Sequence, residues 1–62
     1  MRVVEIDTEF IKLDQFLKWA GISDSGSEAK SLVLAGKVKV NGVQELQRGK
    51  KLRKGDIVEV SG

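Results

Sequence analysis

The hydrophobic pattern of this chain changes its period at Gly36, and that change limits the folds that the chain can adopt. Before Gly36, apolar residues recur three or four positions apart, which is the spacing of one helix face. After it, lysine alternates with valine until Asn41-Gly42, the favoured two-residue turn of a β-hairpin. The sequence therefore predicts helices followed by an antiparallel hairpin.

Two helices are predicted before the hairpin. The first begins at Leu13 and ends at Gly21, since glycine commonly adopts the left-handed conformation at a helix end. The second follows Ser25, whose hydroxyl can accept a hydrogen bond from the Glu28 amide while the Glu28 carboxylate reaches back. It ends at Gly36. Two helices joined by about four residues of turn outline a helix-turn-helix unit.

Short strands are predicted near both ends of the chain, at residues 3–6 and, after a turn at Gly55, at residues 57–60. We expect an α+β domain in which the two helices pack on one small antiparallel sheet. Phe10 is expected to pack inward, and Trp19 to be partly buried against the sheet or the N-terminal strand. The expected core residues are Val3 or Val4, Ile6, Leu13, Phe16, Leu17, Ala29, Leu32, Val33, Val38, Val40, Leu52, Ile57 and Val60.

Positive charge is concentrated in the second half of the chain. Residues 1–28 carry a net charge of −3, whereas residues 29–62 carry +5. Five cations fall within one short segment, expected to form an exposed loop, and these are Arg48, Lys50, Lys51, Arg53 and Lys54. Such a distribution is typical of a surface that meets a polyanion, most often nucleic acid. The alternative is a solvated segment whose lysines serve solubility.

The residue types that most enzymes and metal sites use are missing. The 62 residues include no histidine and no cysteine, which excludes disulfides, thiolate or imidazole zinc ligation and the commonest general base. The N-terminal residues are too acidic for a signal peptide, and no segment approaches the ~20 apolar residues of a membrane span. We therefore expect one non-catalytic domain over residues 1–62, monomeric and cytoplasmic, without metal, cofactor, membrane contact or small-molecule substrate.

Taken in order, these motifs resemble the S4 RNA-binding domain, and more narrowly its small stand-alone bacterial members of the YaaA/YbcJ type. The resemblance covers residues 13–60. The motifs that carry it are Leu13-Asp14, Ser25, Ala29-Lys30, Gly36 to Gly42 and Gly55 to Val58. Two positions depart from the family pattern, because Gly26 and Lys30 stand where many members have arginine. Lysine lacks the planar fork that binds a phosphate through two hydrogen bonds.

The resemblance implies a fold, a partner and a set of contact residues. The implied fold is the alpha-L motif, a helix-turn-helix-like unit packed on a small antiparallel sheet. The implied partner is structured RNA, with ribosomal RNA or ribosomal particles first among the candidates. The implied contact residues are Lys12, Ser25, Lys30, Lys37, Lys39, Arg48, Lys50, Lys51, Arg53 and Lys54. Ser25 can instead be a helix cap alone, and each lysine a solvated surface residue.

Two other functions are compatible with the same residues. A protein-interaction module would dock a basic partner on the acidic N-terminal half, around Asp7 and Glu9, with incidental RNA affinity. An auxiliary domain of a larger RNA-modifying enzyme would carry the same motifs, although initiation at Met1 without a trailing linker favours the stand-alone form.

Overall fold

The structure is a computed structural model that describes residues 2–61. Its elements are β1 (Arg2–Glu5), β2 (Phe10–Lys12), α1 (Leu13–Trp19), α2 (Gly26–Leu34), β3 (Val38–Val40), β4 (Val43–Gln44), β5 (Lys51–Arg53) and β6 (Ile57–Val60). The α+β class is confirmed. The strands form two antiparallel sheets rather than the one expected: a four-stranded sheet in the order β1-β6-β3-β4, and a two-stranded ribbon of β2 and β5. Within residues 2–61, no helix is long and apolar enough to cross a bilayer.

Both helices have the ends that the sequence predicts. Gly21 and Gly36 follow α1 and α2 with φ of 74° and 76°. A Cβ at Gly36 would also collide with the Nε2 of Gln44, which donates a 3.0 Å hydrogen bond to the Gly36 carbonyl. At the start of α2, the Ser25 Oγ accepts a 3.2 Å hydrogen bond from the Glu28 amide. The Ser25 half of the predicted capping box is therefore confirmed, whereas no hydrogen bond within residues 2–61 joins the Glu28 carboxylate to the Ser25 amide.

The hairpin of β3 and β4 has the predicted turn and is also tied to β6. Asn41 and Gly42 both have positive φ, 53° and 82°, as a type I′ turn requires. The Asn41 amide donates to the Ile57 carbonyl at 2.7 Å, and its side-chain oxygen accepts from the Ile57 amide at 2.9 Å. Its Nδ2 donates to the Asp56 Oδ1 at 3.1 Å. Asn41 thus holds a distant part of the chain in place as well as forming the turn.

Within residues 2–61, the core contains eleven buried hydrophobic residues from both helices, both sheets and the segment after β1. These are Ile6, Leu13, Phe16, Leu17, Ala29, Val33, Val38, Val40, Leu52, Val58 and Val60. Val4 and Leu32 are partly buried against them. The prediction for Ile57 is wrong. Because successive strand residues face opposite sides, the burial of Val58 and Val60 leaves Ile57 only half-buried.

Two of the three aromatic side chains lie on the surface, so the predictions for both are wrong. Phe10 and Trp19 are 66% and 69% exposed, whereas Phe16 is buried. In the ribbon Phe10 pairs with Arg53, and the next residue, Ile11, packs partly against the core. Trp19 is the last residue of α1, and its ring centroid lies 6.3 Å from that of Phe16.

Candidate nucleic-acid interface

The ribbon of β2 and β5 brings cations together on one solvent-exposed face. The strand register makes three cross-strand pairs, which are Phe10 with Arg53, Ile11 with Leu52, and Lys12 with Lys51. Because side chains alternate between the two faces of a strand, Ile11 and Leu52 turn toward the core. The other pairs are exposed. We call this exposed face the basic ribbon, and its members are Phe10, Lys12, Lys51 and Arg53.

The segment before β5 is held by the start of α1. The Leu13 amide donates to the Lys50 carbonyl at 2.9 Å, and the Asp14 amide donates to the Arg48 carbonyl at 3.0 Å. The first amides of a helix have no partner inside the helix, so these two are available to anchor another segment. Residues 48–54 are therefore not the single loop that the sequence predicts. They form a turn, the strand β5 and the start of a second turn.

Within residues 2–61, no lysine or arginine side chain takes part in the side-chain hydrogen bonds. The cations of the basic ribbon are thus without a hydrogen-bonded acidic partner in that range. Lys12 and Lys51 lie directly opposite each other, and opposed like charges destabilise a strand pair. The Arg53 guanidinium lies 5.9 Å from the Phe10 ring centroid, within the range of a cation–π contact. A bound anion would compensate this concentrated charge.

Asp56 is beside the basic ribbon, but its carboxylate is engaged elsewhere. Its Oδ2 accepts a hydrogen bond from the Arg53 amide at 2.9 Å, and its Oδ1 accepts one from the Asn41 Nδ2 at 3.1 Å. The bond from the Arg53 amide, followed by that from Asn41, lowers the pKa of Asp56. The charges of Lys50 and Arg53 act in the same direction. Asp56 therefore stays ionised at neutral pH and organises the turn after β5.

Two open depressions flank the basic ribbon. The one toward the hairpin has a volume of about 590 Å³, and it is lined by Val40, Asn41, Val43, Glu45, Lys50, Lys51, Arg53 and Asp56. The other has a volume of about 390 Å³, and it is lined by Phe10, Ile11, Lys12, Gln15 and Lys51. Lys51 lines both depressions, so the basic ribbon separates them. Lys50 joins the ribbon cations in the larger one.

Two predicted contact residues lie on or next to the four-stranded sheet instead. Lys39 is exposed on β3 directly opposite Glu59 of β6, so an acidic residue is its cross-strand neighbour. Lys37 precedes β3 and lines a groove of about 250 Å³ together with Arg2 and Glu28. The structure therefore does not group Lys37 and Lys39 with the basic ribbon.

The remaining predicted residues are exposed but scattered. Lys30 lies on α2, Lys54 lies in the turn after β5, and Arg48 lies in the turn before it. The Ser25 hydroxyl serves as the cap of α2. Within the described residues 2–61, no three side chains of metal-ligating type are grouped together.

Comparisons with known proteins bear on this surface. The model of the S4 domain family matches residues 4–62. The chain belongs to the S4 domain family. It is also similar to a protein of Bacillus subtilis (strain 168) named "Probable ribosome maturation protein RlbA", with 46% identity over 59 residues that cover 95% of this chain and 83% of the relative. No solved structure gives a significant match. The predicted family is confirmed.

Sequence reasoning did not single out two residues that line the depression beside the basic ribbon, Phe10 and Gln15. Phe10 was expected to pack inward, and the alternation Phe10-Ile11-Lys12 is the local signal of its exposure. Gln15 falls on the polar side of α1 and has no sequence motif, yet it shares a depression with Lys12 and Lys51. Both were missed because their placement depends on pairing with β5, far along the chain.

Proposed function

We propose that this S4 domain binds structured RNA through the basic ribbon and serves a ribosome-related role. The observation that carries the proposal is the Lys12–Lys51 pair, which sets two exposed cations directly opposite each other. Such a pair weakens the strands that carry it, and a polyanion compensates the repulsion. Membership of the S4 family and the name of the Bacillus subtilis relative support ribosomal RNA as that polyanion.

The basic ribbon suits recognition by charge and shape. A-form RNA presents phosphates and 2′-hydroxyls across a shallow minor groove, whereas side chains cannot read the bases in its deep, narrow major groove. Lys12 and Lys51 would act as point charges, and Arg53 would offer a planar fork to a phosphate. Since β5 is paired with β2 and preceded by a segment hydrogen-bonded to α1, the backbone positions of these cations are fixed before RNA arrives.

We divide the predicted contact residues into central, marginal and peripheral positions of the proposed interface. Lys50 joins Lys51 and Arg53 in the larger depression, so we propose these three with Lys12 as the central contacts. Lys39 faces Glu59, so we place it at the margin. Ser25, Lys30, Lys37, Arg48 and Lys54 remain proposed peripheral contacts. Because the chain has neither histidine nor cysteine, we propose a binding role without catalysis.

A salt titration tests the proposal. Binding of a structured ribosomal RNA fragment, followed by fluorescence anisotropy, should weaken with a log–log slope of roughly −3 to −4 if four or five cations contact phosphates. The variant Lys12→Gln with Lys51→Gln should bind more weakly and lose about 1.5 from the slope magnitude, since each lost phosphate contact removes ~0.7 to 0.9.

The matched control removes the same charge elsewhere. Arg2→Gln with Lys18→Gln removes two cations that are not among the proposed contacts, so its slope should stay near that of the unmodified protein. Equal losses in both double variants would contradict the basic ribbon as the interface. No binding at low salt, or a slope near zero, would exclude RNA as the partner.

A further inference from the structure

The basic ribbon exposes an aromatic ring as well as cations. Phe10 is 66% exposed, whereas most of the other large apolar side chains on the strands are buried or half-buried. Its ring is held on the surface by pairing with β5, with the Arg53 guanidinium over it at 5.9 Å from the centroid. A single exposed apolar residue is ordinary in proteins. Phe10 is of functional interest because it lines a depression together with two lysines.

That depression has the chemistry of a nucleotide site. Its volume of about 390 Å³ lies within the range of small-ligand sites, and it is open to solvent. Phe10 and Ile11 provide apolar surface, while Lys12 and Lys51 provide two ammonium groups. Gln15 adds a carboxamide that can both donate and accept hydrogen bonds. An aromatic face, two cations and an amide match the base, the phosphates and the base edge of one nucleotide.

We propose that an unpaired base of the bound RNA stacks on Phe10 in this depression. The phosphates beside that base contact Lys12 and Lys51, and its edge faces the Gln15 carboxamide. This inference rests on the proposed RNA binding and adds a preference to it. Bases inside a paired A-form helix are stacked on one another and cannot reach the ring, so a bulge, loop or strand end is preferred.

The other exposed aromatic residue has a different environment. Trp19 is 69% exposed, nearly the same as Phe10. It lines a depression of only about 10 Å³, whose other residues include Glu5 and Asp7. Carboxylates repel a phosphate backbone, and this volume leaves no room for a base. Trp19 is therefore a matched control for Phe10 on the same molecule.

The experiment compares two RNAs that differ at one position. One is a short RNA duplex, and the other is the same duplex with a single unpaired 2-aminopurine. The unmodified protein should bind the bulged RNA more tightly and quench its fluorescence as the base stacks. Phe10→Leu should weaken binding of the bulged RNA by about 5- to 150-fold, the range for one lost aromatic–base stack, and abolish the quench.

The same variant should leave binding of the plain duplex unchanged, because the lysines remain. Phe10→Tyr should keep both the preference and the quench, since it keeps the aromatic face, and Trp19→Leu should change neither. Circular dichroism would confirm that each variant is folded. With both Phe10 and Trp19 largely exposed, these substitutions should have little effect on folding.

Each contrary result has a distinct meaning. If the unmodified protein binds neither RNA, the proposed function fails together with this inference. If it binds both RNAs and Phe10→Leu keeps the preference and the quench, RNA binding stands and the stacking inference is wrong. Equal losses of bulged and plain RNA on Phe10→Leu, or a loss on Trp19→Leu as large as that on Phe10→Leu, would also overturn the inference.

Discussion

The four-stranded sheet and the β2–β5 ribbon use charge in opposite ways. On the sheet, Lys39 lies opposite Glu59, a pairing of unlike charges that contributes about 0.2–1 kcal/mol to strand association. On the ribbon, Lys12 lies opposite Lys51 in the same kind of register, so the pair repels. All three lysines are exposed. What distinguishes them is the residue across the strand, which is acidic on the sheet and basic on the ribbon, as expected if the ribbon lysines bind the proposed RNA.

The two regions also differ in how they are supported. The sheet has four strands, and Asn41 adds hydrogen bonds between its hairpin and β6. An isolated pair of strands is at best marginally stable in water. The ribbon therefore depends on its attachments to the rest of the molecule, namely the fully buried Leu52 and the hydrogen bonds from the start of α1 to the carbonyls of Arg48 and Lys50.

The largest effect is expected when that attachment is removed. Leu52→Ala should lower the free energy of unfolding by about 2–5 kcal/mol, because it removes a completely buried leucine from the core. Val43→Ala on the sheet edge, where the side chain is 69% exposed, should cost no more than about 0.5 kcal/mol. Urea denaturation of both variants measures the difference. Similar costs would mean that the ribbon does not depend on Leu52.

A second prediction reverses charge in each half of the molecule. Lys50→Glu with Lys51→Glu replaces two attractions for phosphate by two repulsions, so RNA binding at low salt should weaken by a few kcal/mol. Asp7→Lys with Glu9→Lys should leave RNA binding equal or slightly stronger, because it adds positive charge at a distance. Pull-downs from lysate with and without ribonuclease measure both variants.

The protein-interaction alternative predicts the reverse order. Under that alternative, the variant at Asp7 and Glu9 loses its partner and the variant at Lys50 and Lys51 keeps it. A ribonuclease-resistant protein partner that depends on Asp7 and Glu9 would overturn the assignment of RNA as the ligand.

Features that depend on neighbouring residues can be predicted from the sequence, whereas the pairing of distant strands cannot. The α1 end at Gly21, the α2 cap at Ser25 and the Asn41-Gly42 turn depend on neighbouring residues, and all three were predicted correctly. The ribbon joins β2 to β5 across about two-thirds of the chain, and a strand of three residues carries little periodicity. No local pattern reveals that pairing.

Strand register explains most of the errors in the core and in the candidate site. A shift of one residue moves a side chain to the opposite face, so Ile57 was exchanged for Val58 and Phe10 was placed inward. The charge pattern and the family resemblance predicted Lys12, Lys51 and Arg53 as contact residues, and this stays a prediction. Their placement on a single face depends on the register, which the sequence alone does not supply.

A third prediction compares the Lys12–Lys51 pair with the Lys39–Glu59 pair. Replacing one lysine of each pair by glutamate should change the free energy of unfolding in opposite directions. Lys51→Glu places an acid opposite Lys12, so the free energy of unfolding should rise by about 0.2–1 kcal/mol while RNA binding weakens. Lys39→Glu places two acids opposite each other with Glu59, so stability should fall by a similar amount. Thermal unfolding at low salt measures both. If both variants change the free energy of unfolding in the same direction, the cross-strand partner does not determine how these charges affect stability.

The smallest expected effect concerns Asp56, where the two regions meet. Its carboxylate accepts hydrogen bonds from the Arg53 amide at the end of β5 and from the Asn41 side chain in the hairpin turn. These bonds lower its pKa in the folded protein relative to the unfolded chain, so the ionised carboxylate stabilises the fold. That stabilisation is fully present above the unfolded pKa of about 3.9 and is lost as the pH falls through the lower, folded value.

Asp56→Asn should therefore be less stable than the unmodified protein at neutral pH and should show a shallower loss of stability below about pH 4. Urea denaturation at a series of pH values measures both effects. Asn41→Ala is the companion variant, because it removes one of the two hydrogen bonds to the carboxylate and should reduce the acid dependence only in part. If Asp56→Asn retains the full acid dependence, other carboxylates cause it, and Asp56 does not link the basic ribbon to the hairpin through its charge.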